Sequence, residues 1–380
     1  MKKHLVLIYL LVFYNGYSQT TTNNFTFDGI NREYLSYVPS SYDPLNPVPL
    51  VICLHGLGDN MNNFSGIGMN YVADTANFIV VTPEAIVDGL LGSTAWNSGA
   101  SYLGFTLNSN VDDLGFINAL IDSISTNYSI DQSRVYACGF SMGGFMAQRL
   151  ACELNNRIAA IASVAGTIGD ALTCTPNKAV SVCHFHGTSD ATINYTGNQY
   201  GTDAEETVNF WLSNNNCNPS NVVTTSLPNT NPNDGYTVDH SIYSGCDDNT
   251  DVEFYKVNGA GHVWLGPTND IFYTTEIWDF FRKHQNSGSA HLSSINPISK
   301  ATIYPNPSKE FATLEINSNV NENVPIHFFD VKGKILKSYT KELHFGINKI
   351  EFNLQGFNSG SYLISIQTNK IKHHIRLQIK

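Results

Sequence analysis

An apolar stretch, Val135-Tyr136-Ala137-Cys138, runs directly into Gly139-Phe140-Ser141-Met142-Gly143 and then into a helix-like run from Phe145 to Leu154. A chain that must pass from a buried strand into a helix through one serine-centred turn has few folds open to it. The turn is so sharp that bulky side chains two residues before and after the serine would clash, and both positions are glycine. The serine hydroxyl is thereby lifted clear of the sheet, and the amide of Met142 can face a developing oxyanion. Taken alone, the pattern fits a helix-capping serine equally well, so the remainder of the chain has to supply the context.

From Phe25 to about Phe281, short apolar strands alternate with helical patterns, as in an α/β fold built on a mostly parallel sheet. Leu50 to Leu54 is continuously apolar, as a strand buried on both faces requires, and Phe78 to Val81 and Val180 to Phe185 read the same way. Arg32 to Val38 alternates and is expected near a sheet edge. Leu114, Ile117, Ile121 and Ile124 mark one amphipathic helix, Met146, Leu150 and Leu154 a second, and Ile277 and Phe281 a third. Residues 285–300, rich in Ser, Asn and Gly, read as a linker. Beyond it, six alternating segments between Ala312 and Ile379, punctuated by Lys332-Gly333-Lys334 and Asn358-Ser359-Gly360, predict a small all-β sandwich. The expected organisation is therefore a leader at 1–18, an α/β domain at 19–284, a linker at 285–300 and a β domain at 301–380.

Lys2 and Lys3 precede an apolar run from Leu5 to Tyr14 and a small-x-small site, Gly16-Tyr17-Ser18, which predicts cleavage after Ser18. That run is too short to span a bilayer, so an exported chain without stable membrane insertion is expected. Of the 380 residues 42% are hydrophobic and 14% charged, which suits a globular protein. The net charge of -11, with no concentration of Lys or Arg, argues against nucleic acid as a partner. An exported chain permits disulfides, and seven cysteines leave at least one unpaired. Cys53, Cys138 and Cys183 fall inside strands and read as small core residues. Chain proximity pairs Cys152 with Cys174 and Cys217 with Cys246, one of three possible arrangements.

A serine needs a base within hydrogen-bond reach, and that base needs a carboxylate to orient it. In this kind of fold the order is serine, then acid, then histidine. His186-Gly187-Thr188-Ser189-Asp190 follows the strand Val180 to Phe185, and Gly259-Ala260-Gly261-His262 follows the strand Val252 to Val257. Both lie just past a strand's C-terminal end, where α/β sheets place functional groups. Ser141, Asp190 and His262 are thus the candidate triad. Asp170, Asp203 and Asp239 are rivals by order, but none follows a core strand so directly. His55, His184 and His186 are expected to satisfy backbone groups. The pair His184 and His186 lacks a third ligand for zinc, and no metal or organic cofactor is expected. His55-Gly56-Leu57-Gly58, after Leu54, is the expected second source of an oxyanion donor, Leu57 first and Gly58 as the alternative. Trp96, with Tyr102 and Phe105 on a loop over 92–110, Trp264 beside the base, and His55 are the candidates for substrate contact.

Leu54-His55-Gly56, Ala95-Trp96-Asn97, Val111-Asp112-Asp113, Gly-Phe-Ser-Met-Gly-Gly from Gly139, His-Gly-Thr-Ser-Asp from His186 and Gly261-His262-Val263-Trp264 occur in that order. Together they resemble the secreted α/β-hydrolases grouped as poly(3-hydroxybutyrate) depolymerase and feruloyl esterase-like proteins, near the carbohydrate esterases of the first family. The resemblance covers about Tyr34 to Phe281. It implies an α/β-hydrolase fold and a serine carboxylesterase that uses Ser141, Asp190 and His262. It also implies a Cys217–Cys246 disulfide. Feruloyl or acetyl esters of plant polysaccharide are the first expectation for the substrate and polyesters the second. A peptidase, or a non-catalytic surface binding module, is more remote. The run Val263-Trp264-Leu265-Gly266 departs from the Trp-Pro-Gly-like run of relatives, which bears on the shape of the acyl pocket. Tyr304-Pro305-Asn306-Pro307, Asp330-Val331-Lys332-Gly333-Lys334, Gly360-Ser361-Tyr362-Leu363 and a basic last strand resemble a type IX secretion C-terminal sorting domain. That implies delivery to the cell surface or medium through the type IX machinery. Separately, a monomer is expected.

Overall fold

The structure, a computed structural model, describes residues 18–286, 298–318, 322–330, 334–344, 346–368 and 372–380. The leader before Ser18, the middle of the expected linker and the Lys332-Gly333 turn lie outside the described residues. The chain divides into two compact units, one ending at Ser289 and the other beginning at Ala290.

The first unit is organised by ten strands: β1 (Gln19–Phe27), β2 (Ile30–Val38), β3 (Val48–Leu54), β4 (Ile79–Pro83), β5 (Ile130–Phe140), β6 (Ala160–Val164), β7 (Ser181–Gly187), β8 (Val222–Ser226), β9 (Thr237–Tyr243) and β10 (Val252–Asn258). They form one sheet in the order β1-β2-β4-β3-β5-β6-β7-β10-β9-β8. The six central strands, β4 to β10 in that order, run parallel, and antiparallel hairpins close both ends. Helices α1 (Met69–Ala76), α2 (Asp113–Asn127), α3 (Met142–Glu153), α4 (Ala204–Asn214) and α5 (Tyr273–Phe281) cover it. Leu50, Ile52 and Leu54 pack with Phe116, Leu120, Met146 and Leu150 on one face. Val51 and Cys53 pack with Val72, Ile277 and Phe281 on the other. Covering both faces explains why β3 is apolar at every position, since its alternate side chains point to opposite sides.

Four strands of this sheet, β1, β6, β8 and β9, are absent from the sequence reading. β1 is a polar Thr/Asn run whose pairing with β2 makes β1, not Arg32 to Val38, the sheet edge. β6 is a five-residue, alanine-containing strand, fully buried yet too short and too weakly apolar to stand out. The linker also contracts. The Asn286 amide donates to Ser133 O at 2.8 Å and its side chain reaches the carbonyls of Asn155 and Asn156, so residues 285 and 286 belong to the first unit. Residues 298–300 begin the first strand of the second unit.

That unit is all-β, with seven strands: β11 (Ile298–Tyr304), β12 (Phe311–Ser318), β13 (Glu322–Phe329), β14 (Ile335–Leu343), β15 (Gly346–Asn353), β16 (Gly360–Gln367) and β17 (Lys372–Ile379). They make two antiparallel sheets, β11-β12-β15 and β14-β13-β16-β17, around Leu314, Ile316, Phe328, Phe352 and Ile364. In the first unit the disulfides are Cys152–Cys174 and Cys217–Cys246, as proximity suggested, and Cys53, Cys138 and Cys183 are buried thiols. The second bridge ties the end of α4 to the β8–β9 hairpin.

His284 closes the first unit. It is 5% exposed, its ring lies 4.5 Å from that of Phe280, and its carbonyl accepts from Tyr136 Oη at 2.6 Å. Burial pushes its imidazole from 6.5 down to about 4. Because the folded value is the lower one, the unfolded chain takes up the proton first as the pH falls. The contribution is therefore intact above about 6.5 and lost on the way down to about 4. At full extent it amounts to about 3 kcal/mol. Urea unfolding across this window should show the loss, and His284→Phe should flatten that part of the profile.

Candidate active site

The site lies along the edge where the parallel strands end. Ser141 follows β5, Asp190 follows β7, His262 follows β10 and Leu57 follows β3, so one sheet edge receives all four loops. Ser141 has φ 54° and ψ -122°, in backbone space that non-glycine residues rarely enter. Its own amide donates to Val164 O at 2.9 Å, and its carbonyl accepts from Phe145 N at 3.0 Å. The flanking glycines have identifiable contacts. A Cβ on Gly139 would collide with the backbone of Gly143, and one on Gly143 with the Leu54 carbonyl. Met142 opens α3, so its amide is among those with no intrahelical acceptor, at the positive end of the helix.

Asp190 and His262 meet. His262 Nδ1 donates to Asp190 Oδ2 at 2.8 Å, while Asp190 Oδ1 accepts from the amides of Thr192 at 2.8 Å and Ile193 at 2.9 Å. Asp190 is buried, which favours its neutral form. The hydrogen bond and charge of His262 and the two amides outweigh that and hold the carboxyl below its ordinary value. The loops carrying the two residues are stitched together: Ser189 N donates to Ala260 O, Thr188 N to Val257 O and Gly259 N to Thr188 Oγ1. Gly187 has no room for a Cβ against Ala260 and Gly261, so the glycine of the His-Gly-Thr-Ser-Asp run lets the His262 loop pass. On its other side the His262 ring lies 4.7 Å from the ring of Phe140, the residue before Ser141. The rival Asp170 is elsewhere, accepting from Ser101 N at 2.7 Å.

The loop after β3 is held by its first histidine. His55 Nε2 accepts from Ala85 N at 3.1 Å, so Nδ1 carries the proton and donates to Gly56 O at 2.8 Å. Asp59 N donates to the same carbonyl at 3.2 Å. With the Gly56 carbonyl drawn that way, the Leu57 amide of the same planar, trans peptide points oppositely. Gly58 N is committed to Thr94 O at 2.9 Å.

Two of the expected substrate contacts are relocated. Trp96 is 1% exposed and its indole N–H donates to His55 O at 2.9 Å; its own amide meets Met142 Sδ. It supports the loops from within and offers no open face. His55 is fully buried and does the same. The expectation that His55 and Trp96 contact substrate is therefore corrected: the first is consumed by backbone groups, as a buried imidazole must be, and the second by the core. The loop over 92–110 contains two short ribbons, with Phe105 exposed and Tyr102 stacked on Tyr200 at 6.0 Å. Trp264 is half-buried and edge-on to Phe64 and Phe140, its indole N–H donating to Thr274 Oγ1. Phe140, absent from the residues the sequence marks for the site, forms with Trp264 an aromatic pair beside His262, backed by the buried Phe64. Phe140 occupies a variable position of the serine motif, which carries no signal by itself. Among the described residues no group of three His, Cys, Asp or Glu is placed to hold a metal ion. None of their helices is long and apolar enough to cross a membrane.

Residues 40–223 match the phospholipase/carboxylesterase family of α/β-hydrolases. That match lies within the first unit and covers just under half of the chain. Residues 302–380 match the secretion system C-terminal sorting domain, which marks the chain for type IX delivery to the cell surface or beyond. Feruloyl esterase D of Neurospora crassa is 28% identical over 284 residues, covering 70% of this chain and 86% of that protein. A bifunctional acetylxylan esterase/xylanase of Neocallimastix patriciarum is 29% identical over 70% of this chain, which spans only 35% of its length. Poly(3-hydroxyalkanoate) depolymerase C of Paucimonas lemoignei is 26% identical over 65% of this chain and 62% of its own. The solved acetyl xylan esterase from Aspergillus awamori aligns loosely, at 17% identity and TM-score 0.48 over 69% of this chain and 99% of its own.

Likeness to a carboxylesterase family does not relax the steric demand at the serine. Gly139→Ala and Gly143→Ala should each lower stability by about 3 kcal/mol or more, since backbone must move to admit the methyl. Thermal melts followed by circular dichroism would show it, and Gly66→Ala, whose Cβ meets nothing within 4 Å, should change little.

Proposed function

We propose that the protein is an exported serine ester hydrolase whose triad is Ser141, His262 and Asp190. The observation that carries the reading is the 2.8 Å hydrogen bond from His262 Nδ1 to Asp190 Oδ2, with the same imidazole packed at a tilt against the ring of the residue preceding Ser141. An imidazole whose Nδ1–H is committed to a carboxylate presents Nε2 as the base. Ser141 Oγ gives its proton to that nitrogen as it attacks the ester carbonyl. The tetrahedral oxyanion is held by the amides of Met142 and Leu57. Commitment of the Gly58 amide to Thr94 supports Leu57 over its neighbour. Collapse releases the alcohol, protonated by His262, and leaves an acyl-serine. Water, activated by the same imidazole, then frees the acid. Removing one oxyanion donor typically costs about a hundred- to a thousand-fold.

For the substrate, feruloyl or acetyl esters of plant polysaccharide come first. The activities named for the fungal relatives support that choice, and so does the aromatic pair of Trp264 and Phe140, suited to a planar acyl group. Polyester cleavage is the second reading, favoured by similarity to a hydroxyalkanoate depolymerase. Export proceeds by loss of the leader after Ser18 and engagement of the tail by the type IX machinery.

Ser141→Ala should abolish hydrolysis of p-nitrophenyl butyrate, and unchanged turnover would sink the assignment. Asp190→Asn should lower kcat by about a thousand-fold or more, by analogy with other triads. Asp170→Asn should leave most activity. Parallel assays on methyl ferulate, acetylated xylan and a hydroxybutyrate film would rank the substrates, and a preference for the film would put polyester cleavage first.

A further inference from the structure

The candidate acid does not stand directly on the rigid end of β7. It sits in a turn three residues beyond it: the Asp190 amide donates to Gly187 O at 3.2 Å at the near end, and a pair of buried histidines ties the far end to the strand. His184 and His186 project from the same face of β7, 0% and 1% exposed. His186 Nε2 lies 2.8 Å from Ile193 O, and since a carbonyl only accepts, Nε2 carries the proton. Burial pushes both imidazoles below their ordinary values, so each is neutral and His186 Nδ1 is an acceptor. Its partner at 3.2 Å is His184 Nε2, which must then donate. The remaining nitrogen, His184 Nδ1, has no partner among the described residues, consistent with a ring whose proton is fixed on the other side. The result is a one-way chain, His184 Nε2–H to His186 Nδ1, then His186 Nε2–H to the Ile193 carbonyl.

Ile193 is also one of the two residues whose amides grip Asp190 Oδ1. The dyad thus anchors the far end of the turn whose near end is Asp190. His186 Nε2 stands 3.8 Å from Asp190 Oδ2, the oxygen bonded to His262, with its N–H dipole on that side. The Ile193 side chain packs with Ala100 and with Phe145 of α3, an apolar contact that leaves the polar tether to β7 at this end to His186.

We infer that His184 and His186 are positioning residues, a tautomer-locked imidazole chain that sets the angle at which Asp190 meets His262. This rests on the triad reading above. Neither ring touches substrate. Their effect is to hold Asp190 Oδ2 in line with His262 Nδ1, and a small misplacement there weakens the base without changing how substrate binds.

The test compares His186→Phe, which keeps the bulk and removes the donor, with His186→Gln, whose amide N–H can reach the place of Nε2–H. Two readouts are taken on the full chain: steady-state kinetics on p-nitrophenyl butyrate, and the downfield proton resonance of the His262–Asp190 hydrogen bond. His186→Phe should lower kcat by about ten- to a hundred-fold with KM nearly unchanged, and His186→Gln should return it to within about three-fold of the parent. The resonance should vanish or move upfield in His186→Phe and return in His186→Gln. A folded His186→Phe with normal kcat and resonance overturns the inference, and so does a His186→Gln as impaired as His186→Phe. Should His186→Phe fail to fold, His184→Phe decides, because that ring already stacks on Phe254 at 5.7 Å. A smaller loss with a shifted resonance supports the chain, and an unaltered one overturns it. The resonance in Ser141→Ala separates the two proposals: an active Ser141→Ala rejects the triad while the proton signal still reports on how Asp190 is held.

Discussion

Between the Leu54 carbonyl and Gly143, and between Gly139 and Gly143, there is no room for a Cβ. Gly144 against Ser163 and Val164, and Gly166 against the Ser141 carbonyl, extend the same condition to β6. Helix α3 is therefore seated on the ends of β3, β5 and β6 at backbone distance. That seating forces Ser141 into its unusual backbone geometry. It also places the first amides of the helix beside the loop that follows β3. Strain at the serine is sustained by packing on every side, which is how a fold keeps a side chain in an exposed, reactive position.

The second constraint is electrostatic. A carboxylate buried at Asp190 would be costly if unpaired. Two backbone amides and one imidazole satisfy it. Neutral imidazoles do the opposite work around it. His55, His184 and His186 are all buried, pushed away from protonation, and used as fixed donors and acceptors to hold loops. One residue type thus supplies the candidate base at position 262 and rigid bracing at the other three, the difference being burial.

What can be read from the chain has local causes. The Gly-Phe-Ser-Met-Gly run announces its turn because the clash it avoids lies within five residues. The placement of Asp190 and His262 after strands follows from continuous apolar runs, which mark central parallel strands whatever surrounds them. Strands β1 and β6 lack that mark: β1 is polar because it lies on the edge, and β6 is brief and alanine-containing because helix α3 presses on it. The linker reads too wide because Asn286 looks like any loop residue until Ser133, Asn155 and Asn156 are brought to it.

The misassignments concern residues whose roles depend on distant neighbours. Trp96 has the composition of a stacking platform, but enclosure by the core turns its ring inward and spends its N–H on His55. The choice between Leu57 and Gly58 as amide donor turns on Thr94, some forty residues away, and Phe140 and Trp264, which meet beside His262, come from distant parts of the chain. The sequence by itself determined the α/β architecture, the sharp turn at Ser141 and the candidate nucleophile, acid and base, because periodicity and steric necessity act along the chain. Only the tertiary structure decided which amides are spent, which rings are buried and how the Asp190 turn is braced, because hydrogen bonds and enclosure are made by residues far apart in the chain.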